Sequence, residues 1–272
     1  MAGIENQYSL DFRAQGTLGD SNLFGCYLGL SILFGILLWQ MDRTARKWIV
    51  AGIAIHLTGI FFSASRGTML TVASVLFLLL AISVSWKTRL ITVGALTVLV
   101  LGLSTMPGLK SFLASNPITE RLTTVTLNVN DENASDRKVL WRDAMIYFQN
   151  EPLVGIGRGN FRPFSFNDTS VYGVVHNTFL GLACETGICG VIVYFLTFAC
   201  YPFAMGLDRI TLGEPFPLAT RVILCAMLLL MLSGITLSLE NFRGLWIVLG
   251  LMEAYRRFIG SYGMSFSKLE RA

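Results

Sequence analysis

The sequence has 272 residues and a mean hydropathy of +0.60, and 53% of its residues are hydrophobic whereas only 14% are charged. Soluble domains carry about 25% charged residues, so this composition excludes a soluble enzyme, a nucleic-acid binder, a disulfide-stabilised secreted domain and a disordered chain. The net charge of +4 is spread along the chain and indicates no nucleic-acid partner. Several stretches of 17 residues or more lack any charged side chain, and a helix of that length can cross a bilayer.

Apolar segments predict an all-α, polytopic transmembrane helix bundle of about seven spans. They cover residues 21–39, 48–65, 67–85, 90–106, 177–205, 221–239 and 244–258. The polar residues 1–20 lack the basic and apolar regions of a signal peptide. We expect an outer segment at 1–20, helices 1–4 within 21–106, one large loop containing short helices at 107–175, helices 5–7 within 176–259 and a cytoplasmic tail at 260–272.

Lysine and arginine in the short loops predict the orientation of the bundle. If the N-terminus lies outside, eleven basic residues fall in the inner loops and tail and only three fall outside. The inner ones are Arg43, Arg46, Lys47, Lys87, Arg89, Arg209, Arg221, Arg256, Arg257, Lys268 and Arg271, and the outer ones are Arg13, Arg66 and Arg243. This bias places the loop 107–175 on the outer side.

The same orientation gathers polar side chains at the outer ends of the helices. Arg66 ends the second span, His176 and Asn177 open the fifth, and Arg243 lies between the sixth and seventh. The loop adds Arg137, Arg142, Arg158 and Arg162. A basic pocket of this kind suits an anionic substrate group held near the lipid headgroups.

Two segments of the loop carry local patterns. Residues 135–152 predict an amphipathic helix that Ser135 caps and Pro152 ends, with Arg137 in its first turn. A helix lying on the membrane surface and one that aims Arg137 at the spans fit equally well. Glycines alternate in residues 152–161, where a flexible turn is favoured over an anion-binding one, and no preceding strand supports a dinucleotide site.

The remaining titratable residues inside apolar segments have competing interpretations. His56 is expected to be buried and bonded within the bundle, whereas His176, at a loop-to-helix junction, fits a structural or a catalytic role equally. Glu185 lies about 13 Å into the fifth span, where a structural hydrogen bond is slightly favoured over a functional role. The five cysteines lie in apolar runs without metal-ligand spacing, so we expect buried free thiols, no metal and no cofactor.

Five segments occur in an order that resembles a known family. They are SASRGTML at 63–70, the segment 137–141, PLVGIGRGNF at 152–161, VHNTFLGLACETGICG at 175–190 and ENFRGLW at 240–246. Together they resemble the O-antigen ligase and polymerase superfamily of bacterial membrane proteins. The resemblance implies a GT-C-type glycosyltransferase of the inner membrane that moves a glycan from undecaprenyl diphosphate to an acceptor hydroxyl at the periplasmic face. The resemblance leaves lipid A core, another glycan repeat and a protein open as the acceptor.

The resemblance also implies roles for individual residues. It implies that His176 takes part in catalysis and that Arg66 and Arg137 are catalytic residues that contact the lipid diphosphate. Arg142 and Arg158 align less surely, and they join Asn177 and Arg243 as further substrate-binding candidates. An arginine holds phosphate oxygens through two parallel hydrogen bonds and stays charged, which suits a diphosphate leaving group.

Three alternatives stay open from the sequence. A polysaccharide polymerase of the same superfamily fits nearly as well. A polyprenyl-lipid carrier or flippase without chemistry would need polar residues through the whole membrane depth, whereas here they cluster outside. Family members usually carry more spans before the segment that begins here, so an inactive truncated subunit is the third alternative.

Overall fold

A computed structural model describes residues 13–94, 132–164, 174–212 and 217–262, and every regular element in these ranges is helical. A short 3-10 helix, Gly16–Leu18, precedes seven α-helices whose bounds lie within the described ranges. These are α1 (Ser21–Met41), α2 (Arg46–Phe62), α3 (Arg66–Ser83), α4 (Glu132–Asn150), α5 (Thr178–Leu212), α6 (Leu218–Ser233) and α7 (Arg243–Tyr262). Residues 86–94 are also helical. The predicted all-α class is therefore confirmed for the described residues.

Three of the described helices are long and apolar enough to cross a membrane, namely Ser21–Met41, Arg66–Ser83 and Thr178–Gly206. The apolar helix α6 has only 16 residues. The other predicted spans fall short for identifiable reasons. Helix α2 has 17 residues and begins with two basic ones, and α7 carries charged side chains in its second half. The predicted segment 90–106 lies mostly outside the described residues.

Helix α1 lies at the centre of the bundle and packs against α2, α3 and α6. Two glycines bring α3 close to it. A Cβ on Gly25 would lie 2.8 Å from Thr68 Cγ2, and one on Gly29 would lie 2.6 Å from Val72 Cγ2. Small residues one turn apart allow this close approach of two helices, as is common in membrane bundles.

The outward surface of the bundle is apolar. Helix α2 buries only Ile60, while Trp48 and Ile55 on the same helix are largely exposed. Leu70 and Phe77 of α3 are likewise exposed. Many exposed large apolar side chains are costly in water and natural in lipid, so they support a membrane protein.

Five helix ends meet at one end of the bundle, which we call the polar end. The Ala14 N–H donates to the Phe62 carbonyl at 2.9 Å, and the Thr178 N–H donates to the Gly234 carbonyl at 2.8 Å. The Ser65 hydroxyl donates to Asn22 Oδ1 at 2.7 Å. The start of α1, the end of α2, the start of α3, the start of α5 and the end of α6 therefore lie side by side.

Helix boundaries correct two expectations. Helix α4 begins at Glu132, so Ser135 lies inside it and Arg137 falls in its second turn. It ends at Asn150, before Pro152. Arg66 does not end the second span but opens α3, because Ser65 adopts an extended conformation and its hydroxyl caps the helix by accepting the Thr68 N–H.

Some buried groups were also predicted wrongly. Cys26, Cys184 and Cys225 are buried free thiols, but Cys189 and Cys200 are exposed on the outward surface of α5. His56 is only half-buried, and its Nδ1 lies 2.6 Å from the Gly52 carbonyl of its own helix. The bond is local because a histidine side chain reaches the carbonyl one turn earlier.

Candidate active site

A cavity of about 530 Å³ opens at the polar end. Its walls come from the start of α1, the glycine-rich loop (residues 152–161) after α4, the start of α5 and the loop between α6 and α7. The lining residues are Asp20, Leu23, Arg158, Gly159, Val174, Val175, His176, Gly181, Glu185, Leu237, Ser238, Glu240 and Asn241. Its volume falls within the range of about 300–1,000 Å³ that is typical of ligand sites.

The glycine-rich loop forms backbone hydrogen bonds with α5. Ile156 N–H donates to the Cys184 carbonyl at 3.0 Å, and Gly157 N–H donates to the Glu185 carbonyl at 2.9 Å. In return, the Pro152 carbonyl accepts the Ile188 N–H at 2.8 Å. The loop is therefore not the flexible turn that we expected, and the amides of Ile156 and Gly157 face protein carbonyls rather than an anion.

Two glycines make this attachment possible. Gly155 has a φ of +67°, and a Cβ there would lie 2.5 Å from the carbonyl carbon of Glu185. Gly187 has a φ of +61° and interrupts α5, and a Cβ there would overlap the Leu153 carbonyl. The kink exposes backbone groups that a continuous helix would have used internally.

Arg158 joins three segments of the cavity wall. Its Nη1 donates to Glu185 Oε2 at 3.0 Å, and its Nη2 donates to Asn241 Oδ1 at 3.4 Å and lies 3.7 Å from Glu240 Oε1. Glu185 is therefore paired, as slightly favoured from sequence, but its partner is an arginine at the cavity. Burial raises the pKa of Glu240 above its ordinary value, and the charge of Arg158 opposes that rise.

His176 is held in a specific backbone conformation at the edge of the cavity. Its φ of +53° is uncommon for a residue other than glycine. On one side the buried Val175 carbonyl accepts the Trp141 indole N–H at 3.0 Å, and on the other Asn177 Oδ1 accepts the Leu180 N–H at 3.0 Å. Asn177 thus caps α5, which gives this predicted substrate-binding residue a structural task.

The surroundings of His176 favour its neutral form. Partial burial and the nearby charge of Arg137 lower its pKa, while the carboxylate of Asp20 opposes them. The charge of Arg137 therefore acts on His176. A neutral imidazole can accept a proton.

Thr178 connects the start of α5 to the loop between α6 and α7. Its buried hydroxyl donates to the Leu237 carbonyl at 2.7 Å and accepts the Leu239 N–H at 2.9 Å. Because Leu237 and Glu240 line the cavity, these bonds fix one wall relative to His176.

The predicted arginines occupy different positions around the polar end. Arg66 opens α3 and Arg137 lies on α4, and both are half-buried. Arg142 is exposed, with its Nε 3.7 Å from the buried Asp143, and Arg243 is exposed at the start of α7. Of the predicted site residues within the described ranges, only His176 and Arg158 line the cavity.

Three cavity residues were missed from the sequence. Asp20 was overlooked although it is a good cap for the following helix, and it does accept the Asn22 and Leu23 N–H groups. Glu240 and Asn241 stand within ENFRGLW, where only Arg243 was singled out. Within the described ranges, no three His, Cys, Asp or Glu side chains are arranged to hold a metal ion.

Comparison with known proteins places these features in a family. The family model described as O-antigen ligase matches residues 50–195. The chain belongs to the O-antigen ligase family. The match runs from α2 past the kink of α5, so it includes Arg66, Arg137, Arg158, His176 and Glu185, whereas Asp20 and Glu240 lie outside it. No curated protein matches the sequence. The family and the apolar helices together indicate a membrane protein of the glycan ligase and polymerase superfamily.

Proposed function

We propose that this O-antigen ligase family member transfers a glycan from undecaprenyl diphosphate to an acceptor hydroxyl at the periplasmic face of the bacterial inner membrane. In this proposal the polar end faces the periplasm, the predicted loop 107–175 is periplasmic, and about seven segments cross the membrane. The eleven-to-three bias of basic residues supports this orientation.

The observation that carries the proposal is His176 at the edge of the cavity. Its uncommon backbone conformation fixes its position at the cavity. Its partial burial and the charge of Arg137 lower its pKa, which favours the neutral imidazole. In the reaction, the acceptor hydroxyl attacks the anomeric carbon and the bond to the diphosphate oxygen breaks. His176 takes the hydroxyl proton as general base. Direct displacement inverts the anomeric centre.

Arg66 and Arg137 are proposed to hold the diphosphate as its charge grows. Preorganised cations at such a leaving group are usually the largest contribution to catalysis. Arg158 is less suited to this role, because its guanidinium already contacts Glu185 and Glu240. Arg142 and Arg243 are exposed, and in this proposal they contact the donor from outside the cavity.

Local bonds favour an enzyme over a lipid carrier. A carrier would need polar groups along a path between the two membrane faces. Glu185 instead pairs with Arg158 at the cavity, and His56 bonds a carbonyl of its own helix. Both polar groups are thus accounted for by contacts that form no path.

The decisive experiment is transfer by the purified protein in lipid nanodiscs. The donor is an undecaprenyl-diphosphate-linked glycan, and separate reactions offer lipid A core, a second lipid-linked glycan or a protein as acceptor. We expect transfer to one acceptor class with inversion and without added metal. Absence of transfer to all three, with donor binding intact, would contradict the proposal.

A further inference from the structure

The charged groups that line the cavity are mostly acidic. Asp20, Glu185 and Glu240 contribute three carboxyl groups, and Arg158 contributes the one guanidinium among the described lining residues. The arginines proposed to hold the diphosphate do not line it. A diphosphate inside the cavity would therefore face more carboxylates than cations, so the cavity is unsuited to that part of the donor.

The same lining suits a sugar. Ionised carboxylates only accept hydrogen bonds, whereas a protonated carboxyl also donates one, so sugar hydroxyls can pair with either form of these groups. Oε2 of Glu240 is buried and has no hydrogen-bond partner within the described residues, so this carboxyl keeps an unused acceptor beside the cavity. Leu23, Val174 and Leu237 add apolar surface for the C–H face of a ring.

We infer that this cavity binds the acceptor sugar and selects one that carries no phosphate. The inference rests on the proposed function, because it places the acceptor hydroxyl beside His176, which lines the cavity. A phosphate monoester near this hydroxyl would bring about −1.5 to −2 charges against the carboxylates, and it would offer them further acceptors instead of donors. Acceptors phosphorylated next to the reacting hydroxyl are therefore excluded.

A site-specific protection assay tests the inference in the purified full chain. The thiol introduced by Ser238→Cys stands on the cavity wall, and the rate of its alkylation is followed by peptide mass spectrometry. The ligands are a neutral methyl hexoside and the same glycoside with one phosphate monoester. Thr44→Cys, at the opposite end of α1, is the control site. We expect the neutral glycoside to slow alkylation at position 238 and to do so at about tenfold lower concentration than its phosphate. Position 44 should be unaffected.

Charge removal provides the second arm. In the Glu185→Gln, Glu240→Gln double variant, the phosphorylated glycoside should protect position 238 at least as well as the neutral one, because Arg158 then dominates the cavity. Glu151→Gln, at an exposed residue outside the cavity, is the matched control and should keep the native preference. Thermal unfolding checks that each variant is folded. If the double variant is unfolded, the comparison of the two glycosides in the protein that carries Ser238→Cys alone still tests the inference.

Four outcomes would overturn the inference. The native protein could favour the phosphorylated glycoside or treat the two alike, or neither glycoside could protect. The lipid-linked donor alone could protect position 238 as well as the free glycoside does, which would make the cavity the donor-sugar site. The transfer assay is separate: transfer without the neutral preference contradicts this inference alone, and the neutral preference without transfer contradicts the proposed function alone.

Discussion

Gly155 packs against the backbone next to Gly187, and Gly187 packs against the backbone next to Gly155. A Cβ on Gly155 would lie 2.5 Å from the Thr186 amide nitrogen, and one on Gly187 would overlap the carbonyl of Leu153. This reciprocal contact holds the glycine-rich loop in the kink of α5. It also carries Arg158, which follows the loop, to its position beside Glu185.

Gly187→Ala should therefore destabilise the protein by about 2–5 kcal/mol, since the new methyl group adds both a positive-φ strain and an overlap with backbone. Gly159→Ala separates the two effects, because Gly159 has a φ of +75° but no atom within 4 Å of its Cβ position. It should cost about 1–2 kcal/mol. Gly52→Ala, with neither feature, should be neutral or slightly stabilising. Thermal unfolding in detergent ranks the three, and equal stability of all would contradict the packing.

The pairing of Arg158 with Glu185 should appear as a coupling energy. The arginine side chain is 41% exposed and the carboxylate 13%, so solvent weakens the pair relative to a fully buried one. A double-mutant cycle of Arg158→Met and Glu185→Gln should give a coupling of about 0.5–2 kcal/mol in unfolding free energy. Arg142→Met, at an arginine that contacts Asp143 instead, should show none with Glu185→Gln. A zero coupling for the first pair would mean that their contact contributes nothing to stability.

The sequence predicted the apolar helices better than their ends or their contacts. Long apolar runs correctly indicated α1, α3 and α5, because hydrophobic length alone identifies such helices. The kink at Gly187 was not predictable, since its cause is the loop backbone that packs there. The contacts of Arg158 were not predictable either, because its partners Glu185, Glu240 and Asn241 come from distant parts of the chain. His176 was placed correctly at a loop-to-helix junction, but the lowering of its pKa comes from burial and from Arg137, which the sequence does not show to be close.

The pH dependence of transfer should respond in opposite directions to two substitutions. The lowered pKa of His176 means that the base is deprotonated at lower pH, so kcat/KM for the donor rises with pH through that pKa. Arg137→Gln removes a cation and should shift the profile to higher pH. Asp20→Asn removes a carboxylate while keeping a good helix cap and should shift it to lower pH. Bound diphosphate adds negative charge, so kcat should titrate at higher pH than kcat/KM.

Arg142→Gln is the control for this measurement, because Arg142 lies on α4 like Arg137 but is exposed. Its profile should match that of the native protein. If Arg137→Gln and Asp20→Asn leave the profile unmoved, the titrating group is not His176.

Arg66→Ala and Arg137→Ala should each weaken transition-state stabilisation by about 2–4 kcal/mol if they hold the diphosphate. Lysine at either position should restore activity only in part, since an ammonium lacks the planar fork that binds two oxygens. The measurement is kcat/KM for the lipid-diphosphate donor. Near-native values in both alanine variants would remove the roles assigned to these arginines.

The role of His176 as general base is tested by the single-turnover rate of glycan transfer by His176→Gln with donor and acceptor saturating. Glutamine occupies similar space but cannot take a proton, so we expect the rate to fall by about 10²–10⁴ while the donor dissociation constant stays close to native. The same variant should retain native thermal stability. Transfer at the native rate would contradict the account, because the acceptor hydroxyl would then lose its proton without His176.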